Sequence, residues 1–113
     1  TGHQQSLIHT NFCHQYWSMA QQIAHHTVNG CNLEVGDLLA SGTISGDTPS
    51  SWGSLLEISQ NGQQPLTLGN GEVRTFLEDG DDIIITAQCQ NGHHRVAFGE
   101  VRGKIMPALP NFS

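Results

Sequence analysis

Charge is scarce in this sequence, and positive charge is scarcest of all. Charged residues make up 12% of the 113 residues, and only four of them are basic, so the formal net charge is -6. A protein that binds nucleic acid needs a basic surface that neutralises phosphates. The composition therefore argues against a nucleic-acid partner.

The sequence also lacks the marks of a disulfide framework, a zinc ribbon, a secreted protein or a membrane protein. Its three cysteines, Cys13, Cys31 and Cys89, are odd in number and form no C-x-x-C pair. Unpaired thiols fit a reducing compartment, so we expect a cytoplasmic location. No apolar run approaches the roughly 20 residues of a membrane span, and the first residues do not resemble a signal peptide. We therefore expect no membrane contact.

The first third of the chain carries no charged side chain. Thr1 to Leu33 contains no Asp, Glu, Lys or Arg, and every charged residue follows it. Because a surface helix normally carries charge on its solvent face, we expect this segment to be buried, partly against structure outside these 113 residues. The sequence also begins without Met, so we expect a piece of a larger protein.

The spacing of apolar residues predicts a mainly β fold with one helix. Apolar and small residues recur at steps of three and four between Phe12 and Thr27, which predicts a helix at about 12–28 that stops at Asn29-Gly30. Short runs bounded by glycine turns then predict a β region at about 37–106. The predicted strands are 37–41, 54–59, 66–68, 73–77, 82–89 and 96–105, and the predicted turns are 61–62, 69–71, 79–80 and 91–92.

Seven histidines raise the question of a metal site. The pair His25-His26 lies near the end of the predicted helix, where neighbouring side chains point about 100° apart and no ligand follows at the third or fourth position. This spacing favours structural or helix-capping roles, or an interface role, over metal ligation. His93-His94 is expected in a solvated hairpin turn.

Two further stretches are candidates for a functional site. In "GTISG" the serine stands one place too late for a G-x-S-x-G nucleophile elbow, and no Lys follows for a phosphate loop, so Thr43 is either a turn residue or a ligand contact. In "GSLLEIS", interpreted as a strand, Glu57 is either a solvent-facing residue of an edge strand or a buried, paired carboxylate of an active site.

The order and spacing of several stretches resemble the C-terminal region of the fumarylacetoacetate hydrolase family, from about Asn11 to Pro110. These stretches are "YWSMAQQIAHHTVNGCNLEVGDLLASGTISG", "GSLLEIS", "LGNGEVRTFLEDGDDIIITAQCQ" and "AFGEVRGKIMPALP". The resemblance implies that residues 1–113 form the C-terminal portion of the catalytic domain, with the mixed β-sandwich roll of that family. It favours the branch that cleaves fumarylacetoacetate over relatives that act as other dicarbonyl hydrolases, decarboxylases or isomerases. A non-catalytic β module that binds a small acid is the remaining alternative.

The same resemblance implies an activity and site residues. The family hydrolyses a carbon–carbon bond of fumarylacetoacetate, giving fumarate and acetoacetate in tyrosine and phenylalanine catabolism, and the full-length enzyme is a homodimer that uses Ca or Mg. Glu57 matches the acid partner of the catalytic histidine, and Thr43 matches a contact to the substrate carboxylate. The catalytic histidine and the metal ligands lie upstream of the matched region, so this chain is expected to hold no metal and to be inactive alone.

Overall fold

The computed structural model of the chain describes residues 4–110 and divides into two units, Thr1–Thr75 and Phe76–Ser113. The first unit contains two helices, α1 and α2, and a two-stranded antiparallel sheet, while the second contains a long antiparallel hairpin. The elements are α1 Met19–Thr27, α2 Leu55–Ile58, β1 Leu66–Thr67, β2 Val73–Arg74, β3 Asp82–Asn91 and β4 His94–Lys104. The prediction of a mainly β chain is confirmed in this coarse form. Neither helix has the length and apolar content that crossing a membrane requires, within the described residues.

The helix predicted at 12–28 begins later, at Met19. The reason is a capping box, in which the Ser18 side chain accepts a hydrogen bond from the Gln21 backbone and the Gln21 side chain accepts one from the Ser18 backbone. The box pairs the backbone N–H groups of Ser18 and Gln21 with side chains, whereas a longer helix would pair them with backbone carbonyls of the preceding turn. The backbone of Ser18 itself is extended. The residues before it form only a separate 3-10 turn, Phe12–His14.

Most of the predicted turns lie where the glycines indicated. Gly30 has a φ of +87° and ends the segment that follows α1, Gly69-Asn70-Gly71 connects β1 to β2, and Gly92 with His93 connects β3 to β4. The pair Asn61-Gly62 instead terminates α2. The predicted strand at 37–41 has irregular backbone.

The prediction of a strand at 54–59 is wrong, because Leu55–Ile58 forms the helix α2. Ser54 is its N-cap, and its hydroxyl accepts a hydrogen bond from the backbone N–H of Glu57 at 3.3 Å. The carbonyl oxygen of Leu55 accepts a hydrogen bond from the backbone N–H of Ser59 at 2.9 Å, which completes a helical turn. A short apolar run fits both a strand and a turn of helix, and the N-cap serine decides between them here.

The hairpin of β3 and β4 has an irregularity at Gly99. The register steps from Thr86↔Glu100 to Gln88↔Ala97, so β4 contributes one more residue than β3 at this point. Gly99 has a φ of +78°, the left-handed conformation that a glycine bulge requires. The bulge keeps one side of the hairpin apolar along its length, with Ile83, Ile85, Cys89, Val96 and Val101 sharing that face.

The described residues contain no buried apolar side chain. On the hairpin, Val101 is 71% exposed, and around α1 the side chains of Tyr16 and Met19 are 85% and 65% exposed. An apolar groove of about 850 Å³ lies between α1 and residues 39–41. The burial expected for the uncharged first third is therefore not found among its described residues, 4–33.

Substitution of Gly99 by Ala is expected to weaken the hairpin by about 1 kcal/mol, because a Cβ disfavours the left-handed backbone. Amide hydrogen exchange of β3 and β4 measures this as an increase in the local opening rate. Gly103→Ala is the matched control, since Gly103 has open space around it and no positive φ. Equal exchange rates in the two variants would contradict the role given to Gly99.

Candidate functional site

The segment from Gly42 to Gly46 is held in place by two hydrogen bonds. The Thr10 hydroxyl donates to the carbonyl oxygen of Ile44 at 2.8 Å, and the N–H of Gly46 donates to the carbonyl oxygen of Ser51 at 3.0 Å. Gly42, with a φ of +78°, turns the chain into this segment. Its backbone is therefore fixed although it belongs to neither a helix nor a strand.

A compact turn brings Gly53 against this segment. Pro49–Ser51 forms a 3-10 turn, closed by the N–H of Ser51 on the carbonyl of Thr48 at 2.9 Å. A Cβ placed on Gly53 would overlap with the carbonyl oxygen of Ile44 and approach Cγ2 of Thr43 to 3.3 Å. Only glycine permits the two backbones to approach this closely.

The Ser45 hydroxyl connects this turn to the candidate acid. It donates a hydrogen bond to Oε2 of Glu57 at 2.5 Å and accepts one from the N–H of Gly53 at 3.0 Å. A hydroxyl-to-carboxylate bond of this length is charge-assisted and roughly twice as strong as a neutral one. Glu57 is half-buried in the first turn of α2. Its carboxylate is therefore oriented by a side chain 12 residues earlier in the chain.

This arrangement does not activate Ser45 as a nucleophile. Its proton is directed to a carboxylate, and no histidine takes part in the contacts of its hydroxyl among the residues described. The other carboxylate oxygen of Glu57, Oε1, has no hydrogen bond within residues 4–110. The geometry thus presents a carboxylate with one oxygen fixed and one oxygen available to a further donor.

The structure places Thr43 beside the same turn. Thr43 is exposed, follows Gly42, and lies with its methyl group next to Gly53. The two residues predicted for the site, Thr43 and Glu57, are therefore linked through Gly53 and Ser45. Their roles in binding and catalysis remain predictions.

Sequence reasoning missed Ser45 and Gly53. Ser45 was considered only as a nucleophile, and its hydrogen bond to Glu57 depends on a tertiary contact that no local pattern reveals. His14 was also unassigned, and its imidazole lies against Gly46, where an added Cβ would come within 2.8 Å of Nε2. A cluster of glycine and serine around a lone acidic residue was the available signal.

Among the residues that the structure describes, the other polar groups do not form a metal centre. Residues 4–110 contain no group of three or more His, Cys, Asp or Glu side chains that could hold a metal ion. His26 and Cys31 make a pairwise contact of 3.8 Å between Nε2 and Sγ. The Ca or Mg ligands that the resemblance implies belong to the region upstream of the matched one, so none of these residues is among them.

Comparison with known proteins identifies the class to which this arrangement belongs. A family model described as the C-terminal part of fumarylacetoacetate (FAA) hydrolase matches residues 3–106. The match covers most of the chain and includes every residue of the site described above. The chain therefore belongs to the fumarylacetoacetate hydrolase family, and the resemblance found in its sequence is confirmed.

Individual relatives are enzymes named fumarylacetoacetase. The chain is 55% identical to the human protein over 104 residues, which are 92% of this chain and 25% of the human protein. It is 53% identical to the Arabidopsis thaliana protein over 92% of this chain and 24% of that relative, and 46% identical to the Dictyostelium discoideum protein over 88% and 24%. The chain spans about a quarter of the length of the curated relatives that it matches.

Substitution of Gly53 by Ala is expected to separate the turn from the Ile44 backbone. Overpacking of this kind costs about 1–3 kcal/mol, so hydrogen exchange at the Gly46 amide is expected to increase about tenfold, the factor that corresponds to 1.4 kcal/mol. Gly103→Ala, which makes the same change in open space, is expected to leave that amide unaffected. Unchanged exchange in Gly53→Ala would show that the close approach is not required.

Proposed function

We propose that this chain supplies one wall of the active site of a hydrolase that cleaves the carbon–carbon bond of fumarylacetoacetate. The products are fumarate and acetoacetate, as in the breakdown of tyrosine and phenylalanine. The observation that carries the proposal is the oriented, half-buried carboxylate of Glu57, linked to Thr43 through Ser45 and Gly53, in a member of this family. A carboxylate fixed at one oxygen suits the support of a catalytic imidazole.

The reaction needs a base, a place for negative charge and a substrate anchor. Water adds to a carbonyl carbon, the electron pair of the broken carbon–carbon bond passes to the acetoacetate fragment as an enolate, and that fragment then takes a proton. Glu57 orients the histidine that removes the proton from water and stabilises its positive charge. Thr43 contacts a substrate carboxylate through its hydroxyl and backbone, since the flanking glycine lets a ligand come close.

The remaining groups come from outside this chain. The catalytic histidine and the ligands for Ca or Mg would belong to the rest of the enzyme, where the cation would supply positive charge that polarises the substrate. We place the complete enzyme in the cytoplasm as a homodimer, and we assign its fold to the β-sandwich roll of the family. The exposed apolar side chains around α1 and on the β3–β4 hairpin support this division, because they offer faces for other structure to cover.

The chain alone is expected to be inactive, because it lacks the histidine and the metal ligands. The measurement is the loss of fumarylacetoacetate absorbance with Ca or Mg present. The positive control is a chimera in which this chain replaces the matching 104 residues of human fumarylacetoacetase, and this chimera is expected to turn over the substrate. Turnover by the chain alone, or a folded chimera without activity, would contradict the proposal.

Glu57→Gln in the chimera is expected to lower kcat by about 10²–10⁴-fold, the usual contribution of acid–base catalysis, because only the negative charge is removed. Steady-state kinetics measure the change, and circular dichroism checks that the fold is retained. Glu34→Gln is the matched control, since Glu34 is an exposed carboxylate outside the site. A Glu57→Gln variant with the kcat of the parent would remove Glu57 from the mechanism.

A further inference from the structure

We propose that Ser45 is a positioning residue, which holds the Glu57 carboxylate in the one orientation that can support the catalytic imidazole. This inference rests on the proposed function of Glu57. It gives Ser45, the serine of "GTISG", a role that is neither that of a nucleophile nor that of a turn residue.

The Ser45 hydroxyl both accepts and donates a hydrogen bond. Its oxygen accepts the N–H of Gly53 at 3.0 Å, and its proton goes to Oε2 of Glu57 at 2.5 Å. Because the amide occupies one lone pair, the hydroxyl cannot rotate away from the carboxylate without losing that bond. Ser45 is half-buried, so water does not freely replace either partner.

Glu57 needs such a restraint because its own element is short. The helix α2 is four residues long, and a glutamate side chain loses much rotamer freedom when it is fixed. A fixed neighbour that bonds one oxygen offsets this loss before the substrate arrives and leaves Oε1 for the imidazole. Ser45 is such a neighbour, because Gly53 fixes its backbone segment by close approach.

The test is a double-mutant cycle in the chimera. Ser45→Ala is expected to lower kcat by about 10–100-fold, the range seen when a hydrogen-bond partner that orients a metal ligand is lost, with little change in KM. Ser45→Cys keeps the size of the side chain but donates weakly, and it is expected to lower kcat in the same direction. In a Glu57→Ala background, alanine accepts no bond from position 45, so Ser45→Ala is expected to have almost no further effect.

The outcomes separate the inference from the function on which it rests. A folded Ser45→Ala or Ser45→Cys variant with parental kcat would overturn the inference while leaving Glu57 in place. An equal loss of kcat in both backgrounds would overturn it as well, because Ser45 would then act on the loop and not through Glu57. Parental activity in Glu57→Gln would instead overturn the proposed function, and the inference with it.

Discussion

The site depends on one steric constraint, the absence of a side chain at Gly53. The carbonyl oxygen of Ile44 occupies the space that a Cβ would need, so the turn after Pro49 lies directly on the segment from Gly42 to Gly46. From this contact follow the hydrogen bond of the Gly53 amide to Ser45 and the hydrogen bond of Ser45 to Glu57. A packing detail of the backbone thus sets the direction of a carboxylate.

The polar groups around Ser45 and the apolar faces of this chain differ in whether the chain itself provides their partners. The Ser45 hydroxyl, the Gly53 amide and one oxygen of Glu57 are paired and half-buried, whereas the large apolar side chains around α1 and on β3–β4 are exposed. Local hydrogen bonds can hold a turn and a cap without a hydrophobic core, but they cannot cover an apolar face. The geometry near Glu57 is therefore set within the chain, while the apolar faces remain available to other structure.

The sequence predicted those features that depend on local chemistry. Glycine turns such as Gly69-Asn70-Gly71 and Gly92 were correct, because the requirement for a left-handed residue is local. The predicted start of α1 was too early, since an apolar stripe does not show that the Ser18 capping box begins the helix at Met19. The helix at Glu57 was missed, because four residues carry too little periodicity to separate a helix from a strand.

The candidate site was predictable only in part. Thr43 and Glu57 were candidates from their local patterns, and the resemblance predicted their roles, whereas the role of Ser45 was not predicted, because its partner lies 12 residues away across a turn. A single sequence does not show which hydroxyl meets which carboxylate. Gly53 is visible in the sequence, but its role becomes clear only when the position of the Ile44 backbone is known.

The exposure of the apolar side chains in residues 4–110 also bears on how this chain is expected to respond to heat. The heat capacity of unfolding comes mainly from apolar surface that becomes exposed to water, and here such surface is already exposed in the folded chain. The isolated polypeptide is therefore expected to have a small heat-capacity increment and a broad, weakly cooperative transition. Structure that covers those apolar faces would supply the missing heat-capacity increment and cooperativity of unfolding.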